Sequence, residues 1–296
     1  MDKTNKIILV TGATGRQGGA TVRHLLANGW PVRAVARDLA TPAAYTLQQA
    51  GAEVVQANNE NLASLEAAMQ GVYGVFSIQP AAFGYETEIR QGKSIADAAK
   101  SVGIQHFVYT SVGGAEGQSR VRKLGKWEIE QYIQALGLPT TILRPANFME
   151  DIIGPRFGAP SGTFSIALKP DVPLRLIAID DIGALAALMF ECPDAYLGQI
   201  IEIAGDSLTP PQVAAAISHA TEHSISYGQI PLETIRQQNA DVAQVFYFLN
   251  EIGYQTDIPA LHKLYPHLTN FETWLQKTGK AQFEILWNAS KNISKK

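Results

Sequence analysis

Short apolar runs alternate with longer amphipathic stretches through the first half of the chain, the pattern of strand–helix–strand units joined into a parallel sheet. Lys6 to Thr11 (KIILVT) predicts a strand, followed by a glycine turn and a helix through Ala20–Ala27. Further strands are expected at Val32–Ala36, Glu53–Gln56, Gly74–Ile78, His106–Thr110 and Thr140–Leu143, with helices from about Glu86 to Val102 and near Lys126–Leu136. These strand runs are apolar on both faces, as strands covered by helices on each side must be.

After about Asn147 the pattern changes. Gly154 to Pro173 is rich in glycine and proline and predicts loops with short strands, Asp180–Phe190 returns to a helix, and Ile200–Ile203 to a strand. Thr209-Pro210-Pro211-Gln212 opens a further helix: Thr209 caps it, proline suits the first helical position, and Gln212 completes a capping box. The remaining chain reads as mainly helical, with Phe246, Tyr247, Phe248, Phe271 and Trp274 expected in a core, a minority of them free to line a pocket for a flat apolar molecule.

Composition narrows the classes. The 296 residues are 46% hydrophobic and 17% charged, ordinary for a chain with a real core. No apolar run approaches the ~20 residues of a membrane-spanning helix, and the start MDKTNKIILVTG does not read as a secretory signal. The single cysteine, Cys192, excludes an internal disulfide framework, and a cytoplasmic location is the default expectation. A net charge of −3 and a pI near 6.1 provide no basic field for nucleic acid, and Lys291 to Lys296 reads as a frayed, solvated end. His219 and His223 have helical spacing but no general-base pattern between them, so no metal site is expected.

The chemistry begins directly after the first strand, at Gly12-Ala13-Thr14-Gly15-Arg16-Gln17-Gly18. A G-x-x-G-x-x-G turn placed between strand and helix near the start of such a pattern is a dinucleotide-binding turn. Gly12 permits the tight turn, Gly15 lets the backbone approach a pyrophosphate, and Gly18 lets helix and sheet pack closely. Free N–H groups and the dipole at the helix start then face the diphosphate. Enzymes that use NAD usually place a carboxylate at the end of the second strand, for the ribose 2′-hydroxyl. Here that point holds Arg37, followed by Asp38. Arginine can stack on adenine and pair with a 2′-phosphate, and Arg16 could add a second positive charge, so NADP(H) is the expected cofactor. The other reading leaves Arg37 solvated and turns Asp38 to the ribose.

Beyond this turn, VTGATGRQGG (Val10–Gly19), AVARD (Ala34–Asp38), GAEVVQ (Gly51–Gln56), LGKWEIEQYI (Leu124–Ile133), LRPANFMED (Leu143–Asp151) and a helical end near NFETWLQKT (Asn270–Thr278) together resemble the NmrA-like family of atypical short-chain dehydrogenase/reductases. The resemblance spans most of the chain. It implies a doubly wound parallel-sheet α/β fold of the Rossmann type over 1–150, completed by about 174–204. A smaller, mainly helical C-terminal substrate or cap domain would comprise 151–173 and 205–296. It also implies a phosphate loop at Gly12 to Gly18 and a 2′-phosphate contact at Arg37. Adenine would lie near Asn58 and Asn59, where relatives often carry an acidic residue, and the ribose region near Ile78, Gln79 and Pro80. Lys126 takes the family lysine position, and Ala146, Asn147 and Phe148 flank the nicotinamide.

The pattern departs from ordinary short-chain reductases at the catalytic tyrosine. Ser111 can fill the serine position, or be a turn residue, and Lys126 fills the lysine position, or caps a surface helix. The residue four before Lys126 is Arg122, which cannot give up a proton at neutral pH. Two functions follow as expectations. The first is an NADPH-dependent oxidoreductase that reduces a small apolar or aromatic conjugated acceptor, quinone- or enone-like, with Gln79, Tyr85 or Tyr109 as polar contacts. The second is a non-catalytic NADP(H) or redox sensor that regulates a protein partner, with Gly154–Pro173 as a mobile element. Neither engages nucleic acid directly or a membrane.

Overall fold

The computed structural model describes residues 2–79 and 84–293. In chain order it contains β1 (Ile7–Val10), α1 (Arg16–Ala27), β2 (Val32–Ala36), α2 (Pro42–Gln49), β3 (Glu53–Gln56), α3 (Leu62–Met69), β4 (Val72–Ser77), α4 (Tyr85–Val102), β5 (His106–Thr110), α5 (Ala115–Ser119), α6 (Gly125–Ala135) and β6 (Thr140–Pro145). There follow β7 (Asn147–Phe148), α7 (Met149–Ile152), β8 (Thr163–Ile166), β9 (Leu174–Ile177), α8 (Ile179–Glu191), α9 (Pro193–Tyr196), β10 (Ile200–Ile203), β11 (Asp206–Leu208), α10 (Pro210–Thr221) and β12 (Ser226–Gln229). The chain ends through α11 (Leu232–Gln238), α12 (Ala240–Glu251), α13 (Ile258–Leu264), α14 (Phe271–Trp274) and α15 (Lys280–Ile293). It divides into two compact units: the first is Met1–Ala115, Lys123–Arg144 and Ile179–Ile201, the second Glu116–Arg122, Pro145–Ala178 and Glu202–Lys296.

The first unit is built on a seven-stranded sheet in the order β10-β6-β5-β4-β1-β2-β3. β1 pairs in parallel with both β2 and β4, and the parallel pairing continues from β4 to β5 and from β5 to β6. The order reverses between β1 and β4, the topological switch point at whose carboxyl edge open α/β sheets bind their ligands. Strand residues alternate between two helical layers. Leu9, Val75, Phe107 and Tyr109 join Ile95, Ala96, Ile129 and Ile133 from α4 and α6 in one fully buried cluster. From the other face Gly74 and His106 meet Phe190 of α8. On that side α1 and α8 pack closely, because a Cβ at Gly183 would lie 2.6 Å from the Ala20 carbonyl carbon. Arg23 and His24 of α1 both reach Asp180 of α8 at 3.0 Å.

His106 lies in this second layer with no exposed surface. Its Nε2 is 2.8 Å from Thr141 Oγ1, and that hydroxyl donates its own proton to the Tyr196 carbonyl at 2.8 Å. The ring must therefore donate from Nε2, leaving Nδ1 as a buried acceptor without a partner among the described residues. Burial pushes the imidazole down to about 4. The folded state thus refuses a proton that the unfolded chain accepts near its ordinary value of ~6.5. This contribution is complete above ~6.5, falls as pH drops, and levels off below about 4, with a loss of about 2 kcal/mol between about pH 7 and about pH 5. Urea denaturation of His106→Gln beside the wild type should show the variant losing this share of acid sensitivity. Equal slopes in the two proteins would count against a neutral buried ring.

The second unit holds a three-stranded sheet, β11-β9-β7, and a parallel pair, β12-β8, with α10 to α15. The capping box of α10 forms: the Gln212 side-chain oxygen accepts the Thr209 N–H at 2.9 Å. Phe246, Phe248, Phe271 and Trp274 are buried, whereas Tyr247 is exposed. No described helix is long and apolar enough to cross a membrane.

Candidate dinucleotide site

β1 delivers the chain into Gly12, whose φ of +59° is a left-handed conformation, and a Cβ there would lie 2.7 Å from Ile78 Cγ2. The Gly15 N–H donates to the Gly12 carbonyl at 2.9 Å, closing the turn, and Gly15 is the N-cap of α1. At Gly18 a Cβ would stand 2.2 Å from the Gly12 oxygen. Thr11 ties the loop to the neighbouring strand end: its hydroxyl accepts the Ile78 N–H at 3.0 Å and lies 3.2 Å from the Ile78 carbonyl, to which it can donate. The N-cap, Gly15, has no side chain to cap the α1 N-terminus, and the first turn holds no acidic residue. A backbone cradle of this kind at a helix start suits a diphosphate.

Within the loop Ala13 is buried and Thr14 and Arg16 are exposed. Gln17 is braced from β5, its side-chain oxygen accepting from Thr110 Oγ1 at 2.9 Å. Arg37 emerges exposed at the end of β2. The Asp38 carboxylate is turned into its own loop, accepting the Ala40 N–H at 2.8 Å just ahead of the Thr41 cap of α2. Asn58 and Asn59 follow β3, and the Asn58 side-chain oxygen accepts the Glu60 N–H at 3.0 Å. Gln79, beyond β4, is buried, donates to Ser77 Oγ at 2.7 Å, and keeps its own side-chain oxygen without a partner among the described residues. Pro80 lies outside the described residues.

Lys126, in the first turn of α6, donates to the Gln79 carbonyl at 3.0 Å. Its Nζ also lies 3.0 Å from Glu88 Oε1, an ion pair between two largely buried side chains. Ser111 follows β5 directly; its N–H donates to the Leu143 carbonyl at 2.8 Å, while its hydroxyl is buried without a partner among the described residues. The Tyr109 hydroxyl is likewise buried and unpartnered, and burial, with Glu88 and Glu130 nearby, pushes it well above its ordinary value. Tyr85, hydrogen-bonded to Glu128, is pushed up to about 12 by that bond. The first unit therefore brings Gly12 to Gly18, Ile78, Gln79, Ser111 and Lys126 to the carboxyl ends of β1, β4 and β5. Arg37, Asn58 and Asn59 stand at the ends of β2 and β3.

Ala146, Asn147 and Phe148 belong to the second unit, where Asn147 donates to the Arg175 carbonyl at 3.1 Å. Arg122 also belongs there, its guanidinium 3.1 Å from the Gln118 side-chain oxygen. Tyr254 is buried in the same unit, and burial pushes its hydroxyl well above the ordinary phenol range. Among the described residues no three His, Cys, Asp or Glu side chains gather as a metal site. His223 lies past the end of α10, 3.1 Å from Glu284 and stacked 4.1 Å from the Trp287 ring.

A sequence profile of the NmrA-like family matches residues 4–275. The chain belongs to the NmrA-like family. It is 29% identical over 296 aligned residues to an NmrA-like family domain-containing protein of Dictyostelium discoideum, covering 92% of this chain and 98% of that one. It is 30% identical to an NAD(P)H azoreductase of Xenophilus azovorans, over 78% of this chain and 79% of that one. Among solved structures, the negative transcriptional regulator NmrA in complex with NAD is 27% identical with a TM-score of 0.79, and covers 97% of this chain and 98% of its own. The same regulator in complex with NADP, 26% identical, superposes with a TM-score of 0.76 over the same shares. The chain is thus similar both to a protein named as an NAD(P)H reductase and to a regulator solved with NAD and with NADP.

Sequence reasoning missed Glu88. The signal was present: Glu88 falls on the apolar face of α4 with Gly92, Ile95 and Ala99, and a carboxylate on such a face needs a partner.

Proposed function

We propose that this NmrA-like protein binds NADP(H) at the glycine cradle of its first unit and reduces a small conjugated acceptor, quinone- or enone-like. The observation that carries the cofactor reading is the end of β2, where Arg37 is exposed while the adjacent Asp38 carboxylate is engaged by its own turn. A 2′-phosphate meets a guanidinium there rather than a competing carboxylate. The cradle and the uncapped start of α1 hold the diphosphate, Lys126 holds the nicotinamide ribose, and Asn58 and Asn59 flank the adenine. The bound nucleotide supplies a hydride.

The missing acid agrees with a conjugated acceptor. Arg122 stands where a tyrosine would, and the phenols of Tyr85 and Tyr109 are held firmly protonated. Hydride addition to a quinone or enone leaves a delocalised anion that takes its proton from water, so no side-chain acid is required. The azoreductase relative also favours a reductase. The regulator bound to NAD and NADP favours a second reading, a sensor that couples the cofactor to a protein partner. Such a sensor requires different affinities in two conformations.

Paired calorimetric titrations with NADPH and NADH decide the cofactor. Wild type should bind NADPH more tightly, and Arg37→Ala should lose about 10- to 100-fold in NADPH affinity with little effect on NADH, the scale of a lost charge-assisted contact. Equal NADPH binding by both proteins would remove Arg37 from the site. A panel of quinones and enones then separates the two functions: acceptor-dependent NADPH oxidation supports the reductase, and tight binding without turnover supports the sensor.

A further inference from the structure

The Lys126 ammonium is held from two sides. It donates to the Gln79 carbonyl at 3.0 Å, and it forms an ion pair with Glu88, Nζ to Oε1 at 3.0 Å. Both partners are fixed. Gln79 follows β4 at the switch point, and Glu88, only 5% exposed, sits in the first turn of α4 against the buried core. The Tyr109 ring closes another side, with Nζ 5.9 Å from its centroid. The residue just before the lysine makes room for this pairing, since a Cβ at Gly125 would lie 2.7 Å from Glu88 Oε2. A buried carboxylate is costly to maintain, so its location needs a reason beyond packing.

We propose that Glu88 is the positioning residue for Lys126: with the Gln79 carbonyl it fixes the ammonium in place, so that it is presented to the nicotinamide ribose. The inference rests on the dinucleotide reading above and deepens it. Glu88 does not touch the cofactor. It acts by keeping a flexible four-carbon side chain in one rotamer, so that the ordering entropy of the lysine is already lost before the nucleotide arrives. Gly125 belongs to the same device, as the position whose missing side chain lets the carboxylate approach.

The test compares two ligands in calorimetric titrations. NADPH carries the nicotinamide ribose, whereas adenosine 2′,5′-bisphosphate carries only the adenosine end. Glu88→Gln removes the counter-charge. Gly125→Ala keeps Glu88 but displaces its carboxylate, and folding should tolerate it because the obstructing atom is the end of a side chain. Both variants should bind NADPH about tenfold more weakly while binding the bisphosphate as wild type does, the scale of one charged hydrogen bond. Arg37→Ala should weaken both ligands. Unchanged NADPH affinity in the two variants, or equal weakening of both ligands, would overturn the positioning role while leaving the dinucleotide site standing. A wild type that bound neither ligand would overturn the underlying reading and this inference with it.

Discussion

Replacing Gly18 with alanine should lower dinucleotide affinity about a hundredfold and cost folding stability of about 1–3 kcal/mol. The added Cβ would lie 2.2 Å from the Gly12 oxygen, 2.6 Å from the Gly12 carbonyl carbon and 2.9 Å from Ala13 Cα. All three obstacles are backbone, so no side-chain rotation relieves the clash. The start of α1 and the turn must separate, and the N–H groups that define the cradle then diverge. Gly15→Ala offers the graded comparison, since its Cβ would meet only the Gly12 oxygen, at 3.2 Å. Calorimetry and urea denaturation on both variants measure the two effects. Wild-type affinity in Gly18→Ala would mean that the ligand does not depend on this turn.

The largest stability effect is expected inside the first unit, at Arg144→Ala. Arg144 donates from Nη2 to Glu130 Oε2 at 2.6 Å and from Nε to Oε1 at 3.1 Å, and the Glu130 side chain has no exposed surface. The guanidinium also lies 5.6 Å from the centroid of the Trp127 ring. Removing the arginine strands a carboxylate in the interior and should cost about 3–5 kcal/mol, whereas a double change to Glu130→Leu and Arg144→Met should come out close to neutral. Urea midpoints of the three proteins decide this. A single variant as stable as the double one would show that Glu130 is hydrated or relaxes to the surface.

Much of the fold was legible because most strands of the large sheet are apolar on both faces and β1 and β4 are followed by longer periodic helices, of 12 and 18 residues. β2, β3 and β5 match the sequence expectation residue for residue, and β4 is displaced by two residues at its start, to Val72. α2 and α3 were not anticipated. Each spans 8 residues, too short for a 3.6-residue period to emerge, although the side chains of Thr41 and Asn61 cap them in the ordinary way. His219 and His223 were expected on one helix face, but the helix stops at Thr221 and Glu222 adopts a left-handed φ of 61°.

The candidate site was legible where chemistry coincides with backbone demand. Gly12 and Gly18 are dictated by a left-handed φ and a close backbone approach that favour glycine, so they stand out in the sequence as a pattern. Side-chain pairings across distant elements leave no such trace. Nothing in the spacing of Glu88 and Lys126 links them, because α4 and α6 are brought together by packing on β5. Asp38 is a local case: its carboxylate accepts the Ala40 N–H two residues on, in a turn that the sequence alone shows only as a polar stretch.

The discontinuous make-up of the first unit constrains when it can be completed during synthesis. A nascent chain that has emerged as far as β6 already contains the glycine turn and every strand up to that point, yet α1 still lacks α8, and β6 lacks β10 at its edge. Both arrive only with Ile179–Ile201, after the excursion of Pro145–Ala178 into the second unit. At translation rates of about 5–20 residues per second, that leaves an interval of seconds with an uncovered apolar helix face and an open strand edge. The packed form of the turn, with Ala20 against Gly183, therefore requires residues made late in synthesis.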